Sequence, residues 1–331
     1  MQKVSVIIPV FNVASYLRQC LDSCVASTLK DVEFICINDG STDQSLSILE
    51  EYSKKDGRFI ILSQENTGQG IARNKALQIA KGEYIAFVDP DDWIHPELLQ
   101  KAYTFAVTHQ ANVVQFNYTE YREHAKKYKK IDCTKKFKKL YHYNLRKAGK
   151  YNSQNIAKGL FYNLYNQVWN RIYKRDFLLN HHIQFATTRN GEDHLFTIGV
   201  LSSGTDIYYL DEYLYMYRVR LGSACHTWGE QDITYTFENI KQIAAYLKTY
   251  NLYTQYESSF RDYCVHVLCW ARLRLKPEQI SPYETLVAGF LSKAEFHEYQ
   301  NLCQCEMDRP THRHFTILKK FILQKLGITR N

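Results

Sequence analysis

The chain has 331 residues, 45% hydrophobic and 23% charged, a balance that argues against disorder and fits one large α/β domain with a smaller appendage. It contains no run of 18 apolar residues, so no transmembrane helix is expected. The net charge of +8 is concentrated in residues 122–150, where twelve Lys or Arg face only Glu123 and Asp132; the remainder holds 30 basic and 32 acidic residues, which argues against a nucleic-acid-binding protein.

The first predicted element is VSVIIPVF (4–11), a β-branched run ending at Pro9 that reads as a buried strand. SYLRQCLDSCVAST follows as a helix, with Ser15 as its expected cap and Leu17, Cys20, Leu21 and Cys24 on one face. VEFICIND (32–39) predicts a second strand, and STDQSLSILEEYSKK a helix opened by Ser41 or Thr42. FIILSQ (59–64), GIARNKALQIAK (70–81) and EYIAFVD (83–89) continue as strand, helix and strand. This alternation predicts a mainly parallel, doubly wound sheet with helices on both faces. Ligands on such sheets sit at the carboxyl ends of the strands, where Pro9, Asp39 and Asp89 all fall.

Beyond Trp93 the pattern is mixed. ELLQKAYTFAVTHQ reads as a helix and ANVVQFNYTEY as a strand, before the lysine-rich stretch. Residues 159–181 read as a helix leading into a strand, and IYYLDEYLYMYRVR (207–220) alternates like antiparallel strands. From about residue 228 the periodicity is helical. The nine cysteines are scattered; only Cys20/Cys24 and Cys303/Cys305 lie close in sequence, and neither pair has the CxxC spacing of a zinc site. Strand-like sequence starts at Val4 with no leader before it, so reduced thiols and a cytoplasmic location are expected.

Three stretches can carry chemistry. Asp39, in NDGSTD, either caps the following turn or accepts a hydrogen bond from a uracil ring, with Phe11 as a stacking face. NTGQGIARN (66–74) offers Gly68 and Gly70 for close backbone approach and the Arg73 fork for phosphate or base, yet it equally fits a plain loop and helix start. FVDPDDW crowds Asp89, Asp91 and Asp92 at a strand end. Three acids exceed what a cap needs, and oxygen ligands at this spacing suit Mg²⁺ or Mn²⁺ beneath a diphosphate.

In this order and spacing, VSVIIPVFN, NDGSTD, NTGQGIARN and FVDPDDW resemble glycosyltransferase family 2, strongly over the first 100 residues and more faintly to about residue 225. The resemblance implies a GT-A nucleotide-sugar fold at 1–225, with a nucleotide-binding half at 1–105 and an acceptor-binding half at 106–225, followed by a helical region at 226–331. It implies that Pro9, Phe11, Asn12, Asp39, Asn66, Arg73 and Asp89 hold the nucleotide, and that Asp89, Asp91 and Asp92 hold Mn²⁺ or Mg²⁺. Phe11 stands where the family often has Tyr, and Ala76 where it often has Gly.

The same resemblance makes NGEDHLF the family's ED motif, with Asp193 as general base and Glu192 on the acceptor side; taken alone, both could simply cap a helix. Arg218 and Ser223, with His226 behind them, are the implied diphosphate contacts, and Trp169 and Asn170 the acceptor contacts. The implied reaction is inverting transfer of galactose, glucose or an N-acetyl form from a UDP-sugar to a glycan or lipid-linked glycan in surface polysaccharide, lipooligosaccharide or capsule synthesis. A sugar-nucleotide-binding protein without catalysis and a nucleotidyltransferase are the alternatives. FTILKKFILQKLGITRN reads as a basic amphipathic helix that either packs as a final helix or contacts the inner face of a membrane. The lysine block at 126–139 is either a solvated face or a guide for anionic acceptors. An oligomer is compatible with all of this.

Overall fold

The computed structural model describes residues 2–135, 144–153, 156, 160–163, 167–220 and 229–308. The described chain falls into two compact units that divide between Phe260 and Arg261.

The first unit opens with β1 (Val4–Val10), α1 (Ala14–Val25), β2 (Val32–Asp39), α2 (Ser45–Lys55), β3 (Phe59–Gln64), α3 (Gln69–Ile79) and β4 (Tyr84–Phe87). Every residue of β1 and β2 is buried, because helices cover both faces of the sheet and both sides of each strand must be apolar. Leu17, Cys20, Leu21 and Cys24 form the buried stripe of α1, as their spacing predicts. Ser15 is not its cap: the helix starts one residue earlier, and Asp43 Oδ2 and Ser45 Oγ accept from the amides of Ala14 and Val13. Likewise α2 starts at Ser45 rather than at Ser41 or Thr42.

β5 (Trp93–Ile94), α4 (Leu98–Thr108), β6 (Val113–Arg122), β7 (Lys127–Ile131), β8 (Lys150–Tyr151), β9 (Arg171–Lys174), α5 (Asp193–Ser202), β10 (Ile207–Val219) and α6 (Glu230–Thr249) follow, with a few one-turn helical pieces between them. The strand order is β3-β2-β1-β4-β9-β6-β10-β5, with β7 pairing β6 and β8 pairing β10. The first four strands are parallel, β9 is antiparallel to both β4 and β6, and β10 runs parallel to β6. The segment expected as antiparallel strands is one 13-residue strand, antiparallel to β5 and β8 but parallel to β6, and its irregular alternation reflects register shifts against β6 around Tyr213. Because β9 reverses between β4 and β6, the carboxyl ends of β1, β2, β4, β6 and β10 all point to the same edge of the sheet. That edge collects the polar motifs.

The division falls inside α7 (Tyr253–Arg272); the second unit continues with α8 (Pro277–Phe290) and α9 (Lys293–Asp308). It is tied internally by Tyr283 Oη donating to Leu268 O at 2.8 Å and by the ion pairs Arg272–Glu284 and Arg261–Glu295. The basic segment at 315–331 lies outside the described residues. No helix among the described residues is long and apolar enough to cross a membrane.

Candidate active site

The loops that leave β1 and β2 are knitted together. Asn12, in the left-handed region at φ +46°, aims its Oδ1 at the amides of Thr42 and Asp43, at 2.8 and 3.3 Å. Asn and Asp tolerate that backbone conformation better than other side chains. Pro9 is buried inside β1, whereas Phe11 projects with 46% exposure, a large apolar face left open at the strand end.

Asp39 is 3% exposed. Its Oδ1 accepts from Thr67 N at 2.9 Å and Gln64 Nε2 at 2.7 Å, and its Oδ2 from Gly68 N at 2.8 Å. The carboxylate thus ties the end of β2 to the NTGQG loop, and Oδ2, with Gly68 N as its donor, retains room for one further donor. Gly40, at φ +71°, leaves space for Asn66, whose backbone N would lie 2.8 Å from a Cβ there.

Arg73 sits on the buried face of α3, 3% exposed. Its Nη2 donates to Asp89 Oδ1 and its Nη1 to Glu192 Oε1, both at 2.8 Å. One cation therefore bridges the aspartate-rich turn and the ED segment. Gly70 makes the approach possible: a Cβ there would stand 2.4 Å from Ala186 O and 2.9 Å from the Glu192 side chain.

The three crowded aspartates separate in role. Tyr215, fully buried on β10, accepts from Asp89 N through its hydroxyl and donates to Asp92 Oδ2 at 2.8 Å. Asp92 Oδ1 accepts from Arg218 N at 2.7 Å. Each Asp92 oxygen thus accepts one hydrogen bond, and at 1% exposure the carboxyl lies beneath the opening that Asp89 and Asp91 face. Burial, reinforced by the charges of Asp91 and Asp89, holds its carboxyl well above the ordinary carboxylate range.

Asp89 and Asp91 face the opening, with side chains 25% and 19% exposed. Burial raises the Asp89 pKa while Arg73 opposes the shift. Arg220 Nε donates to Asp91 Oδ2 at 2.8 Å. Asp89 Oδ2 and Asp91 Oδ1 carry no donor among the described residues, so this pair could hold a hard divalent cation, which takes oxygen ligands. No group of three or more His, Cys, Asp or Glu suited to a metal gathers among the described residues.

Arg218, the expected diphosphate contact, is turned inward at 6% exposure. Its guanidinium lies 4.9, 4.8 and 5.6 Å from the ring centres of Tyr16, Trp93 and Tyr121, and donates to Asp91 O, Glu123 and Gln19. In this conformation Arg218 braces the backbone of the aspartate turn. Ser223 and His226 lie outside the described residues.

The ED motif opens α5. Burial pushes Glu192 up to about 7, with the Asp193 charge adding to the shift and Arg73 opposing it. Asp193 is pushed up to about 6, again by burial, although its side chain keeps 30% exposure and so faces the opening. Glu192, at 3% exposure, is committed to Arg73 and is not available to an acceptor.

Asn170 is also corrected. It is fully buried, with Nδ2 near Phe116 O and Cys133 Sγ, and so faces the core rather than an acceptor. Trp169 is 6% exposed and stacks on Tyr215 and Tyr217 at 4.5 and 5.2 Å.

Sequence reasoning missed Arg220, Tyr215 and Glu123. The alternation in RVR was a usable signal, since residues two apart in a strand share a face; Arg218 and Arg220 both reach Asp91. Nothing local marks Tyr215 among so many tyrosines.

Residues 5–178, over half of the chain, match glycosyl transferase family 2, and the chain belongs to that family. Its relatives include glycosyltransferase GlyA of Streptococcus pneumoniae serotype 4, 33% identical over 239 residues. The match covers 69% of this chain and 32% of that protein, so the chain spans about a third of the relative's length. Among solved structures, S. aureus TarS 1–349 in complex with UDP-GlcNAc gives a TM-score of 0.65 at 22% identity, covering 86% of this chain and 79% of the other. Mannosyltransferase PcManGT from Pyrobaculum calidifontis, in complex with GDP-Man and Mn²⁺, gives 0.55 at 14% identity, covering 97% and 85%. These likenesses establish the GT-A fold.

Proposed function

We propose that this chain transfers a hexose, as galactose, glucose or an N-acetyl form, from a UDP-sugar to a hydroxyl of a glycan acceptor, with inversion at the anomeric carbon. The observation that carries this reading is the Arg73 bridge, which brings the candidate base Asp193 and its neighbour Glu192 to the aspartate turn that would hold the donor diphosphate. Phe11 stacks on the uracil, and Asp39 fixes the loop beneath it and accepts from the ring. Asp89 and Asp91 would hold a divalent cation, which when bound would neutralise charge on the diphosphate. The UDP-GlcNAc bound to TarS and the GDP-Man and Mn²⁺ bound to PcManGT support a nucleotide-sugar donor and a metal.

Asp193 takes the proton of the acceptor hydroxyl as its oxygen forms a bond to C1. The bond from C1 to the diphosphate oxygen breaks, and UDP departs with that electron pair. A single displacement of this kind inverts the anomeric configuration. Lys126, Lys127, Lys129 and Lys130 are exposed beside this edge and pair with no carboxylate among the described residues, which supports an acceptor bearing negative charge, on a glycan or its lipid carrier. Surface-glycan synthesis at the cytoplasmic side of a membrane is the setting this reading implies.

The test is metal-dependent UDP release from a panel of UDP-sugars by the chain and by its Asp193→Asn variant. The proposal requires the variant to lose at least about a hundredfold in rate while still binding UDP. Transfer at the normal rate by Asp193→Asn would overturn it.

A further inference from the structure

Resting on the reading of Asp193 as the base, we infer that Asn239 of α6 is a positioning residue that fixes the loop carrying this carboxylate. α6 is separated from α5 by the whole of β10, and its own sequence holds no catalytic motif. It nevertheless belongs to the first compact unit and supplies one wall of the ED segment.

The contacts run along the loop in order. Gln242 Oε1 accepts from Thr187 N at 3.1 Å, and its Nε2 donates to Thr187 Oγ1 at 3.2 Å. Asn239 Oδ1 accepts from Thr188 Oγ1 at 2.5 Å, and Asn239 Nδ2 donates to Asn190 O at 2.7 Å. Asn190 Nδ2 in turn donates to Asp232 Oδ1, while Asp232 Oδ2 accepts from Gly229 N. Asn239 is 4% exposed, so neither end of its amide can exchange these partners for bulk water.

The loop has reason to need such a clamp. Gly191 is in the left-handed region at φ +71°, and a Cβ there would stand 2.8 Å from Asn239 Nδ2. The amide therefore packs directly under the residue two before Asp193. From another element, α3 presses Gly70 against Ala186 O and the Glu192 side chain, and Arg73 holds Glu192. The base loop is gripped between α3 and α6. In these contacts Asn239 engages two loop residues at once, accepting from one and donating to the other. An amide combines the two roles, whereas an ionised carboxylate could accept from Thr188 but could not donate to Asn190 O.

The test is a double-mutant cycle on UDP release from whichever of UDP-glucose, UDP-galactose and their N-acetyl forms turns over fastest, comparing the wild type, Asp193→Ala, Asn239→Leu and the double variant. Asn239→Leu should lower kcat roughly 10- to 100-fold with KM for the donor nearly unchanged, because the base is misplaced while the nucleotide site is intact. The double variant should be no slower than Asp193→Ala. Melting curves guard against a folding defect: Asn239→Leu should remain folded at the assay temperature, and a kcat loss explained by unfolded protein overturns the positioning role. Asn239→Leu at full rate while Asp193→Ala is inactive overturns this inference alone, as does a double variant whose losses multiply. Asp193→Ala at full rate instead sinks the base assignment itself.

Discussion

Arg73 and Glu192 form a buried ion pair at 2.8 Å although 119 residues separate them in sequence, and both side chains are only 4% exposed. The same guanidinium reaches Asp89, so one arginine joins the donor half of the site to the segment that carries the candidate base. Removing one partner from such a pair strands the other charge. Arg73→Met should therefore destabilise the chain by about 3–5 kcal/mol, leaving Glu192 and Asp89 without their counter-charge. Urea unfolding checks this, and loss of stability below about 1 kcal/mol would show that the pair is not buried as described.

The pH dependence follows from Asp193. Burial pushes its carboxyl up to about 6, and only the deprotonated form can accept a proton from an acceptor hydroxyl. The kcat/KM for transfer should accordingly fall about tenfold per pH unit below about 6 and level off above about 7. A profile still flat at about pH 5 would show that the Asp193 carboxyl is not raised in this way.

Asp91 and Asp92 should respond differently to the same change. Asp91→Asn should weaken activation by Mn²⁺, seen as a rise in the metal concentration needed for half-maximal UDP release, with little effect on melting temperature. Asp92→Asn should instead lower stability by about 1–3 kcal/mol, since an amide offers one acceptor oxygen where Tyr215 Oη and Arg218 N each use one inside the fold. Equal metal requirements for the wild type and Asp91→Asn would refute the ligand assignment. Chelation with EDTA should abolish UDP release and Mn²⁺ should restore it.

Gly70 offers a steric test. A methyl group at this position would meet Ala186 O at 2.4 Å, so Gly70→Ala must push α3 away from the ED segment. A destabilisation of about 1–3 kcal/mol and a fall in kcat are expected together. Wild-type stability and rate in this variant would mean that the two elements do not pack as tightly as the structure shows.

Phe11 should act on donor binding alone. It is 46% exposed, so Phe11→Ala removes little from the core, while losing an aromatic face under a base costs about 1–3 kcal/mol of binding. UDP affinity measured by calorimetry should fall about tenfold or more with the melting temperature unchanged.

How much of this was legible from the sequence depends on the range of the interactions involved. The β1-to-β4 alternation, the helical stripe of Leu17, Cys20, Leu21 and Cys24, and the placing of Asp39 at the end of β2 and Asp89 just past β4 follow from local periodicity, because burial on a strand or helix repeats at a fixed spacing. The family likewise showed in four short ordered motifs. The tertiary structure decided what periodicity cannot encode. It put β9 between β4 and β6, made β10 one long strand parallel to β6, and turned Asn170, Asp92 and Arg218 toward the interior although their residue types suit an open site. It also brought Arg73 to Glu192 and α6 to the ED loop, across separations of 119 and 51 residues. Hydrogen bonds and ion pairs between distant segments leave no periodic trace, since each needs only one suitable side chain at each end, and only the folded chain shows which ends meet.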